Sequence, residues 1–279
     1  MGLPWASLCY HCRGRRTHRR DAFDVDTVDF DHQIHQWTTG VSDDPEQSSK
    51  TLKQAVKICR CWAGRKMNIS RAAARWTLPD RGQADAFVEN YFEWVYTLYP
   101  YVIRPVFMHN YMQIWQPRLS AYTEGLDPSE EDADADVFYC LLNAMFALGV
   151  QFDTTHDAKW KASMGELFYH RVLSSLKFST LERGTIELVQ TLVLTAQYLQ
   201  STQLWEACWN FTGLAIRIAQ GIGLHVKPEN TEVAKRHASF VLEEAMRRRT
   251  WAGCISLDRY VYTLRIDVIE LFSLGQRLM

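Results

Sequence analysis

Apolar positions recur most densely between Ile186 and Lys227, in IELVQTLVLTAQYLQ, then STQ, then LWEACWNFTGLAIRIAQGIGLHVK. Val189, Leu192, Val193, Ala196 and Leu199 follow the spacing of a helix face. In the second half, Trp205, Cys208, Trp209, Thr212, Ala215, Ile216 and Ala219 form one stripe. Leu204, Ala207, Phe211, Leu214 and Ile218 form another on a different side. A helix apolar on two sides must be covered on two sides. The short Ser201-Thr202-Gln203 joint predicts an antiparallel pair. Gly221 and Gly223 end the second helix and Pro228 prevents its resumption.

The same periodicity predicts further helices on either side. Phe87, Val88, Tyr91, Phe92, Val95 and Tyr99 mark a helix over 83–99 that Pro100 stops. Residues 99–105 read as an extended connector, because a residue preceding proline is pushed out of helix. Pro105 opens the next helix, with Phe107, Met108, Tyr111, Met112 and Trp115 inward. The acidic run EGLDPSEEDADAD at 124–136 reads as a solvated loop broken at Asp127-Pro128, with Asp134 or Asp136 capping a helix over 136–151. In that helix Phe138, Leu141, Leu142, Met145, Leu148 and Gly149 share a face, and Gly149 predicts a close helix–helix approach. Trp160, Met164, Leu167, Phe168, Val172 and Leu176 predict a helix over 157–178. A longer helix is expected over 232–262, with Trp251, Cys254, Ile255, Asp258 and Tyr262 on one face. Glu243–Arg247 and Glu244–Arg248 are spaced i,i+4 in the favourable order. The fold class is all-α: antiparallel helical hairpins in a multi-helix, solenoid-like bundle.

The segment from Ile186 to His225 resembles the central signature of the fungal-specific transcription factor domain, the middle homology regulatory region of fungal zinc-cluster transcription factors. Three more stretches match the family's pattern in order: LPDRGQADAFVENYFEWVYTLYPYVIRPVFM from Leu78, LLNAMFALGVQF from Leu141, and EEAMRRRTWAGCISLDRY from Glu243. The resemblance implies a helical regulatory domain acting in the nucleus in RNA polymerase II transcription, in a protein that binds DNA with zinc. It also implies a serine-rich turn and a Gly-Arg-Pro segment after Asp258-Arg259-Tyr260. TLRIDVIELFSLGQRLM stands there instead, which reads as a C-terminally truncated domain with exposed apolar surface.

Composition and charge change the picture mainly at the N-terminus. The chain has 279 residues, 47% hydrophobic and 13% aromatic, enough for a sizeable core. A formal net charge of −1 gives no overall pull toward nucleic acid. Locally the sign alternates. Arg13, Arg15, Arg16, Arg19 and Arg20 follow a CxxC at Cys9 and Cys12. Residues 21–49 are acidic and hold an HxxH at His32 and His35, while residues 50–81 are basic again. Such blocks make residues 1–81 a largely disordered tail and linker, and residues 82–279 the helical domain. The arginines are candidate contacts to DNA phosphates, and the second basic block a nucleic-acid contact or nuclear import signal. The seven cysteines form no secreted-style framework, no cleavable leader is visible, and no membrane span is expected.

Cys9 and Cys12 are the candidate zinc ligands, and the resemblance implies zinc. Its third ligand, six residues after the second, falls on Arg19, and the later Cys59 and Cys61 are a CxC. Only four cysteines precede residue 140, so a six-cysteine two-zinc cluster cannot close. Inside the helical region, Arg217 and Asp258 interrupt apolar faces. A buried charge without a partner costs several kcal/mol, so these two are expected to pair. Nucleophile elbows, phosphate loops, dinucleotide fingerprints and HExxH are absent from the sequence. Gly221-Ile222-Gly223 lacks a third glycine and reads as a helix stop, and Cys140, Cys208 and Cys254 read as buried thiols. Three functions are open: a gene-regulatory domain, a protein-interaction module without DNA specificity that forms homodimers or heterodimers, and an all-helical enzyme. A terpenoid synthase would need carboxylates repeated on one helix face and a second metal motif, and neither is seen.

Overall fold

The computed structural model describes residues 69–116, 128–177, 181, 184–226 and 238–277, with backbone alone at 70, 71, 128–132, 238–242 and 264–277. Cys9, Cys12, the arginines at 13–20, His32, His35, Cys59 and Cys61 lie outside the described residues. The elements are α1 (Ile69–Ala72) with a 3-10 turn (Ala73–Arg75), α2 (Arg81–Asn90) with a π segment (Tyr91–Val95), and α3 (Arg104–Ile114). There follow α4 (Pro128–Gly149) with a 3-10 turn (Val150–Phe152), α5 (Ala158–Ser175), α6 (Ile186–Ser201), α7 (Trp205–Gly221) and α8 (Ala238–Arg277). No strand occurs among the described residues.

Two helices form the centre. Every residue of α6 from Leu188 to Leu199 is buried, because α4, α7 and α8 surround it. Every residue from Val137 to Val150 is buried as well, since α2, α5, α6 and the π segment enclose α4. The sequence analysis gave α4 a single inward face; its circumference is apolar because it is covered on all sides. Residues Ala133–Phe152 are in fact long and apolar enough to cross a membrane, with a mean hydropathy of 1.4, which corrects the expectation of no such segment. Here 83% of that window is buried inside the protein, where neighbouring helices take the place of lipid.

The antiparallel α6–α7 pair is present, but α7 is a flank of the bundle. It rests on α6 through Cys208, Thr212, Ala215 and Ala219, and Asn210, Gly213, Arg217 and Gln220 are exposed. Its second stripe is a half-buried seam, Phe211 meeting Tyr169 of α5 with ring centroids 6.1 Å apart. Both α6 and α7 end in the same motif. Leu224 N–H donates to Ala219 O at 2.8 Å and Gly223 N–H to Gln220 O at 3.0 Å, with Gly223 at φ 70°. At the α6 end Leu204 N–H donates to Leu199 O at 2.9 Å, and Gln203 takes the left-handed position at φ 61°.

Three helix starts are capped by local side chains. Asp80 accepts from Gln83 N–H, Asp157 from Trp160 N–H and Thr185 from Leu188 N–H. The start of α4 corrects the loop expectation. Pro128 opens the helix, because the first turn needs no N–H from it, and the acidic run favours the positive helix end. Asp134 and Asp136 therefore lie within the helix rather than capping it, and Asp136 pairs with Lys177 at 3.0 Å. Packing begins earlier than residue 82. Ile69 and Ala72 are buried, Trp76 stacks on Tyr139 at 5.0 Å, and Tyr139 donates to Thr77 O at 3.1 Å. On α3 the inward face is Phe107 and Tyr111, and Met112 is exposed.

Candidate functional site

Catalysis, metal binding and recognition all need polar groups held in place, and this interior holds few. Three places bring them together.

The first is the loop between α4 and α5, which the sequence analysis passed over. Thr155 donates from N–H and Oγ1 to Asp153 Oδ1, each at 2.6 Å. His156 Nδ1 lies 2.8 Å from Asp153 Oδ2 and 2.8 Å from Thr155 Oγ1. The imidazole is stacked on Trp160 with centroids 3.6 Å apart. Partial burial by itself would raise the Asp153 pKa, but hydrogen bonds from Thr155 and His156 outweigh it and hold it at about 2. Hydroxyl, imidazole and carboxylate suggest an acid–base triad. A triad needs nucleophile and carboxylate on opposite ring nitrogens, so that a proton can pass through the ring. Here both converge on Nδ1, and the group is a loop lock ahead of α5. Its sequence signal is DTTHD at 153–157.

The second is the Glu243–Tyr260 stretch of α8. Arg248 pairs with Glu244 at 2.7 Å, as the i,i+4 spacing predicts. Arg247 does different work: its guanidinium donates to Gly223 O at 2.8 Å and Ile222 O at 3.4 Å. It thus caps the C-terminal carbonyls of α7 from a neighbouring helix, where positive charge is favoured. The buried face of α8 is Met246, Thr250, Gly253, Cys254, Leu257 and Val261. Compared with the expected face this is turned by one residue, about 100° of helix. Tyr262 is exposed and Asp258 sits half-buried at the rim. Arg217 stands on the exposed side of α7, 3.4 Å from Gln220 Oε1. The structure thus gives Arg217 a different partner from Asp258, and leaves neither charge deep enough to need the other.

The third is where the connector at 99–103 meets α6 and α8. Gly253 admits the Tyr101 ring: a Cβ there would stand 2.5 Å from Tyr101 Cζ and 2.7 Å from its oxygen. The Gln197 amide donates to the Tyr101 hydroxyl, but burial dominates and drives that tyrosine's pKa upward. Tyr91 lies alongside, fully buried, its pKa also raised by burial. The thiols behave as expected. Burial lifts Cys140 and Cys254 to about 12 and Cys208 to about 11, so all three stay protonated at neutral pH. Among the described residues no three His, Cys, Asp or Glu side chains are grouped to hold a metal ion.

A family model described as "Fungal specific transcription factor domain" matches residues 88–264, from α2 to just beyond the last buried residue of α8, Val261. The chain is similar to "Sorbicillinoid biosynthetic cluster transcription factor 2" of Penicillium rubens, 31% identical over 186 residues, covering 66% of this chain and 25% of that protein. It is similar to "Transcription factor FBD3" of Gibberella moniliformis, 26% identical over 188 residues, covering 67% of this chain and 23% of the relative. "Lactose regulatory protein LAC9" of Kluyveromyces lactis is 26% identical over 187 residues, 65% of this chain and 18% of its own. The chain thus spans a quarter or less of the length of these curated relatives. No solved structure matches it at a significant level.

Proposed function

The chain belongs to the fungal specific transcription factor domain family, and from that premise we propose that it is a regulatory region controlling RNA polymerase II transcription in the nucleus. The observation that carries the reading is the match over 88–264, which coincides with the packed helices. The relatives named above are transcription factors. A regulatory rather than enzymatic role also suits the one acid–base cluster described, whose bonding on a single imidazole nitrogen cannot relay a proton.

DNA contact belongs to this proposal through Arg13, Arg15, Arg16, Arg19 and Arg20, which supply charge for phosphates but no base reading. The donor set does not fit a two-zinc cluster, since Arg19 stands where the third cysteine is required. Purified chain should therefore carry no stoichiometric zinc and bind DNA weakly, with affinity falling steeply as salt rises. Two zinc ions per chain by elemental analysis would overturn that part. The gene-control reading is tested by tagging and deleting the full chain in a fungal host. Nuclear signal and a changed set of transcripts are expected; exclusion from the nucleus with an unchanged transcriptome refutes it.

A second reading, an interaction module pairing with another regulator or a second copy, is favoured by exposed Trp94, Leu204 and Trp205. Light scattering after size exclusion separates the two, a strictly monomeric chain that retains no regulator in pull-downs counting against it.

A further inference from the structure

Threonine hydroxyls on or beside helices in this domain usually bond back to the turn before them. Thr97, Thr191, Thr195, Thr202 and Thr263 donate to the carbonyls of Glu93, Glu187, Thr191, Tyr198 and Arg259. Thr250 is fully buried on α8, and its Oγ1 has no partner. It lies one turn before Gly253 and Cys254, on the face that Tyr101 packs against. Two more unpartnered atoms belong to the same junction. Gln197 spends its amide N–H on Tyr101 and leaves Oε1 unbonded. Tyr91, adjacent to Tyr101, leaves its hydroxyl unbonded and is 0% exposed.

Three polar atoms from three elements therefore point into one place without a protein partner. Each forgoes the hydration it had in the unfolded chain, and phenylalanine, leucine and valine would fill the same space without that loss. The set is chemically uniform: two hydroxyls that donate or accept and one carbonyl that accepts, with a protonated thiol beside them. Asp258, one turn beyond Cys254 at the rim, would repel an anion, and the junction's own groups offer a cation no full charge.

We propose that the junction of the 99–103 connector, α6 and α8 binds a small uncharged molecule carrying both a hydrogen-bond donor and an acceptor, held by Tyr91, Gln197 and Thr250. Its donor meets Gln197 Oε1 and its acceptor takes the Tyr91 or Thr250 hydroxyl. The idea stands apart from the gene-control reading, because binding can be measured on the purified chain alone.

The test is a titration of the full chain, tyrosine-labelled with carbon-13, with acetamide and ethylene glycol, against acetate and ethylammonium of similar size. Tyr91→Phe and Tyr101→Phe assign the two resonances. At least one uncharged probe should give saturable shifts confined to Tyr91 and Tyr101, with neither ion doing so. Thr250→Val and Tyr91→Phe, which keep side-chain volume, should weaken that binding tenfold or more. Linear drift of all tyrosines, equal response to all four probes, or unchanged affinity in both variants would overturn it. If either variant fails to fold, the wild-type titration decides.

Discussion

Gly149 separates two opposite consequences of one substitution. It is the last residue of α4, and α2 crosses it so closely that a Cβ would collide with the Phe87 carbonyl oxygen and stand 2.9 Å from the carbonyl carbon. Backbone cannot rotate aside as a side chain can, so Gly149→Ala must push α2 away. Reaching ordinary contact at 3.4 Å needs about 0.5 Å of retreat at that carbon. Phe87 retreats with it, and its ring is packed against Phe146, Trp160 and Phe168 at centroid distances of 6.0, 6.4 and 5.7 Å. A gap of that size forfeits a quarter or more of each contact's attraction, and overpacking of this kind costs about 1–3 kcal/mol. Alanine's helix propensity returns at most about 1 kcal/mol. Gly213 is the control: it is exposed in the middle of α7, with nothing within 4 Å of its Cβ position. Gly213→Ala should stabilise by about 0.5–1 kcal/mol. The two variants should therefore move the urea midpoint in opposite directions, and Tm by about 2–4 °C per kcal/mol for a domain this size. Gly149→Ala as stable as the parent would refute the close approach and the α2–α4 packing built on it.

Gln203→Gly should stabilise by about 1 kcal/mol, because glycine relieves the left-handed φ of 61° that glutamine holds there; unchanged or lowered Tm counts against this. Arg247→Ala should cost about 1–2 kcal/mol through the uncapped carbonyls of Ile222 and Gly223, and Arg248→Ala, which loses an exposed ion pair, about 0.5 kcal/mol or less; denaturant unfolding ranks the two. Asp153, held at about 2, contributes stability that is intact above an ordinary aspartate's ~3.9 and lost as pH falls toward 2. Asp153→Asn should flatten stability against pH in that window and lower it at neutral pH, read by unfolding from pH 5 to pH 2. Cys140, Cys208 and Cys254 should resist iodoacetamide at pH 7.5 in the native protein and react in denaturant, checked by mass spectrometry.

The sequence carried the helices because periodicity and punctuation agree. Pro105, Gly223 and the polar joint at 201–203 fall at the boundaries the structure shows, and Val189, Leu192, Val193, Ala196 and Leu199 are all fully buried. Errors came where a local rule met a tertiary arrangement. Asp127-Pro128 looked like a break, yet proline is as welcome in a first helical turn as in a loop. The face of α8 was placed one residue off, because Trp251 and Tyr262 looked more apolar than Gly253, and a glycine's value as room for Tyr101 appears only with the connector in place. The junction itself was not legible, since Tyr91, Gln197 and Thr250 come from segments up to 159 residues apart and none is conspicuous alone. Arg247 and Arg248 were read alike from spacing, and only the neighbouring α7 distinguishes cap from surface pair.

The enclosure of α4 has a consequence during synthesis. One wall of its sheath, α6, is encoded downstream, so the ribosome must make another 52 residues between Gly149 and Ser201 before that side can be covered. At ordinary elongation speeds this takes about 3–10 s, and throughout it the nascent chain displays a rod greasy enough to pass for a membrane anchor. Folding of this domain in the cell is thus a race against mistaken capture, and chaperones that shield hydrophobic stretches near the exit tunnel would decide its yield.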